Sequence, residues 1–237
     1  MTAQDQEGVD LASQMYKLDL AWMHNRISTP GSSAELRETS RSNENGKLVV
    51  RYQMIVHGAP TDKLYQYLNW PINAREPVLT MSGLSISKNG VVVCAGRTSE
   101  QCSGDKPDDP VDFVMAPAKG ELYRLALVSP DEDVKVTAFV VPDPIVGKNK
   151  GCSIEVVRLM AKFELVMLKG SGFGPNEEVS FWAESYGETH EGKPKADSGG
   201  TFDMALLPFV KGKTGGEMKV LVKGAACSPG VSFRYGS

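Results

Sequence analysis

The sequence predicts an all-β protein made of two β-sandwich domains in tandem. Short runs of alternating apolar and polar residues recur along its 237 residues, and 24 glycines and 14 prolines are dispersed between them. Such regular spacing of turns is typical of sandwiches. A parallel sheet would need helices of about ten or more residues between the strands, and the sequence shows no convincing ones. The length suits two domains of about 100 residues, each with its own core.

The N-terminal segment has two interpretations. Residues 1–14 are polar and are predicted to form a disordered tail. In residues 15–22, apolar side chains alternate from Tyr16 to Trp22, which favours a strand. Apolar residues also recur at i, i+4, i+7 and i+11 from Leu11, as on one face of a helix. We prefer the strand, because the sequence that follows is β throughout.

Two Asn-Gly pairs predict hairpins in the first domain, because both residues adopt the left-handed conformation that tight turns require. Asn45-Gly46 precedes the run Lys47–Val56, and Asn89-Gly90 lies within Leu84–Cys94. These elements place the first domain at residues 15–141. Its remaining strands are predicted at Leu64–Trp70, Val111–Met115, Glu121–Val128 and Val134–Val141.

Residues 142–151 are predicted to be a linker, since they contain two prolines and two glycines. The second domain then covers residues 152–237. Its predicted strands are Ser153–Leu159, Glu164–Lys169, Glu178–Glu184, Gly200–Leu207, Glu217–Lys223 and Val231–Tyr235.

The second domain contains a recognisable order of motifs. It begins with Gly170-Ser-Gly-Phe-Gly-Pro-Asn-Glu-Glu-Val179, continues with Asp197-Ser-Gly-Gly-Thr-Phe202, and ends with the strand Gly216–Val222 and a last strand. This order resembles the immunoglobulin-like domains of bacterial secreted and surface proteins, including IPT/TIG-like domains, over about residues 163–235. The resemblance implies an immunoglobulin-like sandwich, and strand count and spacing predict the same for the first domain. The predicted fold is therefore two immunoglobulin-like β-sandwich domains in tandem.

The first motif predicts a bend that feeds a strand. Gly170 and Gly172 allow positive φ where the chain crosses between sheets, and Phe173 would enter the core. Strand alternation places Phe181 on the core side and Trp182 on the opposite side. The motif thus indicates architecture, with Trp182 as its one outward aromatic residue.

Four cysteines allow three disulfide pairings. We prefer Cys94–Cys102 and Cys152–Cys227, because each pair then lies within one domain. The second bond would tie the first strand of its domain to the loop before the last strand, which corresponds to roughly 4 kcal/mol of stabilisation. Disulfides imply an oxidising compartment, so we expect a periplasmic or extracellular protein whose signal peptide has been removed. Four reduced thiols in the cytosol are the alternative.

The net charge and the hydropathy of the sequence argue against several classes of binding partner. The net charge is −3, from 26 basic and 29 acidic residues, so neither nucleic acid nor an anionic membrane surface is expected as partner. No run of 18 apolar residues occurs, so no membrane insertion is expected. We expect a monomer that binds an unknown protein or a glycan.

The candidate ligand-binding residues are aromatic. Trp182, Trp70 and Tyr67 could form a platform for sugar rings, although buried aromatics are also what a sandwich core needs. A candidate Ca²⁺ site lies in the acidic loop, where carboxylates are suitable ligands but the spacing is not that of an EF-hand. Its residues are Asp105, Asp108, Asp109 and Asp112. No catalytic residue and no other cofactor is predicted, since no nucleophile elbow occurs.

These features predict a non-catalytic binding or scaffold module of the bacterial cell envelope. The first alternative is a carbohydrate-binding accessory protein. The second is a hydrolase whose site the sequence does not reveal.

Overall fold

The computed structural model describes residues 27–70, 77–95, 108–160 and 165–236. The predictions for residues 1–14 and 15–22 lie outside these ranges. The described residues divide into two compact units. Of the described residues, the N-terminal unit contains those from 27 to 118 and from 122 to 142, and the C-terminal unit contains residues 119–121 and those from 143 to 236. No helix in the described part of the chain is long and apolar enough to span a membrane.

The N-terminal unit contains two antiparallel sheets. One has the strand order β1-β2-β6 and the other β5-β4-β3-β7-β8. This is the immunoglobulin-like division, in which the first two strands pair with a later one and the central hairpins form the facing sheet. The strands are β1 (Ser33–Glu44), β2 (Lys47–His57), β3 (Tyr65–Trp70), β4 (Val78–Ile86), β5 (Val92–Cys94), β6 (Phe113–Met115), β7 (Tyr123–Val128) and β8 (Lys135–Val140).

Turn residues and the alternation of apolar and polar side chains along the strands specify this sandwich. Asn45 and Gly46 have φ of 53° and 78°, the left-handed pair that a tight hairpin needs, and they join β1 to β2. Between the sheets, alternate residues of each strand form one core. Tyr67 and Phe113 meet there edge to face, with ring centroids 4.9 Å apart.

The C-terminal unit is divided in a similar way, with its first three strands and one later strand in one sheet. Its sheets have the orders β14-β11-β10-β9 and β13-β12-β15-β16, and every pairing is antiparallel. The two units together confirm the predicted fold class. The strands are β9 (Ile145–Asn149), β10 (Cys152–Met160), β11 (Leu165–Ser171), β12 (Ser180–Ser185), β13 (Glu188–Gly192), β14 (Phe202–Leu206), β15 (Gly216–Lys223) and β16 (Gly230–Tyr235).

The core of the C-terminal unit lies between these two sheets. Phe173, directly after β11, is buried and packs against Phe202 of β14, with ring centroids 5.5 Å apart. Gly170 is needed for this packing, because a Cβ there would overlap the Phe202 ring. The structure thus gives Phe173 the core position that the motif predicts.

The predicted linker at residues 142–151 is wrong over most of its length. Residues Ile145–Asn149 form β9, which pairs with β10, and Lys150-Gly151 make the turn between them with φ of 47° and 88°. The glycines of this segment therefore serve a hairpin. Gly147 allows close approach of backbones, since a Cβ there would overlap the Gly230 carbonyl oxygen.

A short segment upstream of β7 also belongs to the C-terminal unit. The Gly120 amide donates to the Asp143 carbonyl at 2.6 Å, and the Arg158 amide donates to the Gly120 carbonyl at 2.7 Å. Glu121 forms a parallel bridge with Arg158. The strand predicted from Glu121 consequently begins later, at Tyr123.

Candidate functional site

An outward-facing apolar pair lies on the outer face of the second sheet of the C-terminal unit. In β12, Phe181 and Ala183 are buried, whereas Trp182 between them is half-buried and points away from the core. Its cross-strand partner on β15 is Leu221, which is 40% exposed. An aromatic ring beside an exposed leucine offers flat apolar area to a partner.

Charged residues surround this pair. Trp182 lies opposite Glu191 of β13, and Glu184 lies opposite Lys219 of β15. All of these side chains stand on the outer surface of the sheet, because residues two apart along a strand share a face. An apolar centre with a polar rim is the usual layout of a binding surface. We call this surface the Trp182 face; it comprises Trp182, Glu184, Glu191, Lys219 and Leu221.

One exposed aromatic side chain lies near the end of the same strand. Tyr186 follows β12 in the turn to β13 and is 57% exposed. Its hydroxyl donates to the Gly215 carbonyl at 2.9 Å, and the Lys213 ammonium lies 4.9 Å from its ring centroid. These contacts hold the ring in one orientation.

The turn before β12 fixes the position of that strand. The Glu177 carboxylate accepts hydrogen bonds from the Gly174 amide at 2.6 Å and the Ala225 amide at 2.5 Å. These amides, that of Ala225 first, lower the pKa of Glu177 below its ordinary value. The carboxylate thereby links the bend before β12 to the loop between β15 and β16.

The disulfide Cys152–Cys227 closes the same end of the C-terminal unit. Cys152 opens β10 and Cys227 lies in the loop between β15 and β16, with Cα atoms 6.1 Å apart. This is the pairing that the sequence predicts, although Cys152 opens the second strand of the unit and not the first, because β9 precedes it. For the pair Cys94–Cys102, Cys102 lies outside the described residues, and Cys94 is buried at the end of β5.

The other two aromatic candidates belong to the N-terminal unit and pack within it. Tyr67 is only 8% exposed and contacts the core ring of Phe113; burial raises its pKa. The proposal of Tyr67 as a ligand-binding residue is therefore corrected, because its ring is core. Trp70 packs on the other side of β3 with Leu68 and Phe139, against buried Ala126 and Val128. Both residues belong to the N-terminal unit, whereas Trp182 belongs to the C-terminal unit.

The acidic loop is described only in part. Asp105 lies outside the described residues, whereas Asp108 and Asp112 are exposed and Asp109 is half-buried. Within the described ranges, no three side chains of His, Cys, Asp or Glu group as metal ligands would. Calcium binding by this loop stays a prediction.

The structure also shows a cavity that no sequence pattern indicates. Its volume is about 310 Å³, within the C-terminal unit. Its walls come from the segment before β7, from β9 and β10, and from β15 and β16, which are distant in sequence. The lining residues are Lys119, Ile145, Arg158, Glu217, Ser232, Phe233 and Arg234.

Comparisons with known proteins give a likeness to solved structures at low sequence identity. No protein-family model matches the chain, and no curated protein sequence is detectably similar to it. Among solved structures it is similar to the tetra-tandem repeat in the extending region of a large adhesion protein, with 10% sequence identity and a TM-score of 0.28. The similarity covers 88% of this chain and 50% of that chain, so this chain spans about half its length. The fold assignment rests on the strand orders and cores described above.

Proposed function

We propose that the chain is a non-catalytic binding or scaffold module of an exported bacterial protein of the cell envelope, periplasmic or extracellular. The observation that carries the proposal is the Trp182 face. Trp182 is half-buried on the outer side of β12 beside the exposed Leu221. Tryptophan is among the residue types enriched at the positions that dominate binding energies, and Trp182 is not a member of the buried core of its unit.

The disulfide supports the exported location. Cys152–Cys227 closes a sandwich, and structural disulfides persist in oxidising compartments. Thiol counting by mass spectrometry on protein isolated from its native cells tests this part. We expect no free thiol at Cys152 or Cys227, and reduced thiols at both positions would contradict export.

The binding role is tested with cell-envelope fractions. Protein carrying Trp182→Ala is compared with the unaltered protein and with Phe209→Ala, which removes another aromatic of the same unit that is 63% exposed. We expect binding to weaken by about tenfold or more for Trp182→Ala and to stay unchanged for Phe209→Ala. Equal binding by all three proteins would remove the Trp182 face from the proposal.

A carbohydrate-binding role is the second candidate, favoured by the outward ring of Trp182 and the exposed ring of Tyr186. Envelope fractions treated with protease or with periodate separate the two classes of partner. Binding that survives protease and is lost after periodate indicates a glycan, and the reverse indicates a protein. For a non-catalytic module, the bound glycan or protein is recovered unchanged after prolonged incubation.

A further inference from the structure

The cavity of the C-terminal unit has an apolar floor and a charged rim. Ile145 and Phe233 are 6% and 5% exposed and belong to the core of the unit, so they form a rigid floor. The rim consists of polar and charged side chains. A volume of about 310 Å³ lies at the lower end of the range for small-molecule sites.

Three cations from three parts of the fold converge on this cavity. Arg158 comes from β10 and Arg234 from β16. Lys119 comes from the segment that Gly120 fixes through its two backbone hydrogen bonds, to Asp143 and from Arg158. Gly120 has φ of 78°, and a Cβ there would lie 2.7 Å from Ile145 Cδ1. The positive φ at Gly120 therefore favours glycine in this segment.

The rim keeps an excess of positive charge. Glu217 is its one carboxylate and lies directly opposite Arg234 in the β15–β16 pairing. Within the described residues, the side chains of Lys119 and Arg234 form no hydrogen bond or ion pair with another side chain. Without counting Arg158, the two cations Lys119 and Arg234 and the carboxylate of Glu217 give the rim a formal charge of +1.

We propose that this cavity binds a small organic anion that also carries hydroxyl groups, the chemistry of an acidic sugar. Guanidinium groups bind carboxylates in a planar, two-point geometry, and Arg234 supplies one beside the Lys119 ammonium. The Glu217 carboxylate accepts hydrogen bonds from ligand hydroxyl groups, and the Ser232 hydroxyl is a further polar partner. The apolar ring of Phe233 forms the floor beneath the ligand.

The test uses three small probes with the whole protein. Glucuronate carries both the carboxylate and the hydroxyl groups, acetate only the carboxylate, and glucose only the hydroxyl groups. Titration followed by NMR should show glucuronate binding at least about tenfold more tightly than either, weakening as salt is added. No binding of glucuronate, or equal affinity for acetate, would overturn the proposal.

Variants locate the binding in the cavity. Lys119→Gln and Arg234→Gln should each weaken glucuronate binding about tenfold, whereas Lys148→Gln, on the exposed side of β9, should not. Both rim cations are exposed, so these variants keep the fold. Glu217→Ala should strengthen acetate binding, because it removes a repelling charge, and should strengthen glucuronate binding less, because it also removes an acceptor for the ligand hydroxyl groups. If the Lys119→Gln and Arg234→Gln variants bind glucuronate as tightly as the unaltered protein, the anion binds elsewhere and the proposal is wrong.

This inference is independent of the Trp182 face. Trp182 is not among the residues that line the cavity. Trp182→Ala should therefore leave glucuronate binding unchanged even where it abolishes binding to envelope fractions. Loss of both activities in Trp182→Ala would show that one surface accounts for both and would overturn the assignment to the cavity.

Discussion

Glu177 links two loops of the C-terminal unit at the end of the sandwich where the disulfide lies. Its carboxylate accepts the Gly174 and Ala225 amides, and Ala225 is two residues from Cys227. A carboxylate that accepts two backbone amides satisfies donors that the turns would otherwise leave to water. Glu177 therefore supports the loop that the disulfide also holds.

Neutralising Glu177 should destabilise the C-terminal unit in a pH-dependent way. Its pKa is lowered from the ordinary value of 4.5, chiefly by the Ala225 amide and then by that of Gly174. The stabilisation is fully present above the unfolded-state pKa and is lost as pH falls through the folded-state pKa. Glu177→Gln should therefore lower the melting midpoint by a few degrees at pH 7, with a difference that shrinks below about pH 4.5.

The neighbouring residue is the control for this measurement. Glu178 is 63% exposed and has only a long ion pair to Lys193, at 3.6 Å, so Glu178→Gln should leave the midpoint nearly unchanged. A destabilisation by Glu177→Gln of equal size at pH 3 and pH 7 would show that the charge of the carboxylate is irrelevant.

Comparing Gly172 with Gly187 separates the cost of backbone strain from the cost of steric crowding. Both have φ of 80°, but a Cβ at Gly172 would overlap the Gly151 carbonyl oxygen, whereas a Cβ at Gly187 meets nothing within 4 Å. Gly187→Ala should cost about 1 kcal/mol of unfolding free energy for the left-handed conformation. Gly172→Ala should cost about 1–3 kcal/mol more. Urea denaturation measures both, and equal losses would argue against close approach of the bend to the β9–β10 turn.

At the scale of elements, β9 extends the first sheet of the C-terminal unit and also contacts the second sheet. It pairs with β10 from Ile145 to Asn149, and Gly147 lies against the Gly230 backbone of β16. A strand in this position closes one open side of the sandwich. Residues 145–149, which the sequence predicts to be a linker, are thus part of the C-terminal unit.

Enlarging Gly147 should separate β9 from β16. A Cβ there overlaps backbone, which cannot rotate away as a side chain could, so Gly147→Ala should destabilise the C-terminal unit by about 1–3 kcal/mol. Val146→Ala is the matched control on the same strand, because Val146 is 40% exposed and faces outward. Chemical denaturation compares the two variants. If Val146→Ala costs as much as Gly147→Ala, the close approach of the two strands is not what limits position 147.

The elements that the sequence predicts are those specified by local patterns. Asn45-Gly46 specifies a hairpin within four residues, and Trp182 can be placed outward by alternation alone. Strand β13 (Glu188–Gly192) was not predicted, because its residues are polar and mostly exposed and it exists through pairing with β12. The sequence does not predict the cavity, for a similar reason. Lys119 and Arg234 meet only after the fold is complete, and neither lies in a motif.

At the scale of the whole molecule, the chain has two separate cores. One lies between the sheets of the N-terminal unit and the other between the sheets of the C-terminal unit, and Cys152–Cys227 lies entirely in the second. A cross-link restricts the unfolded state of the segment that it closes. Its stabilising effect should therefore be concentrated in the C-terminal unit.

Removing this disulfide should destabilise one unit selectively. The double variant Cys152→Ser/Cys227→Ser opens a loop with a sequence separation of 75, and the chain-entropy relation gives a loss of roughly 4 kcal/mol. Peptide-resolved hydrogen exchange should show faster exchange in β10, β11 and β15. Strands β2, β3 and β7 should keep their protection, because they belong to the other core and serve as the internal control. Equal acceleration in both sets of strands would mean that the two cores unfold as one cooperative unit.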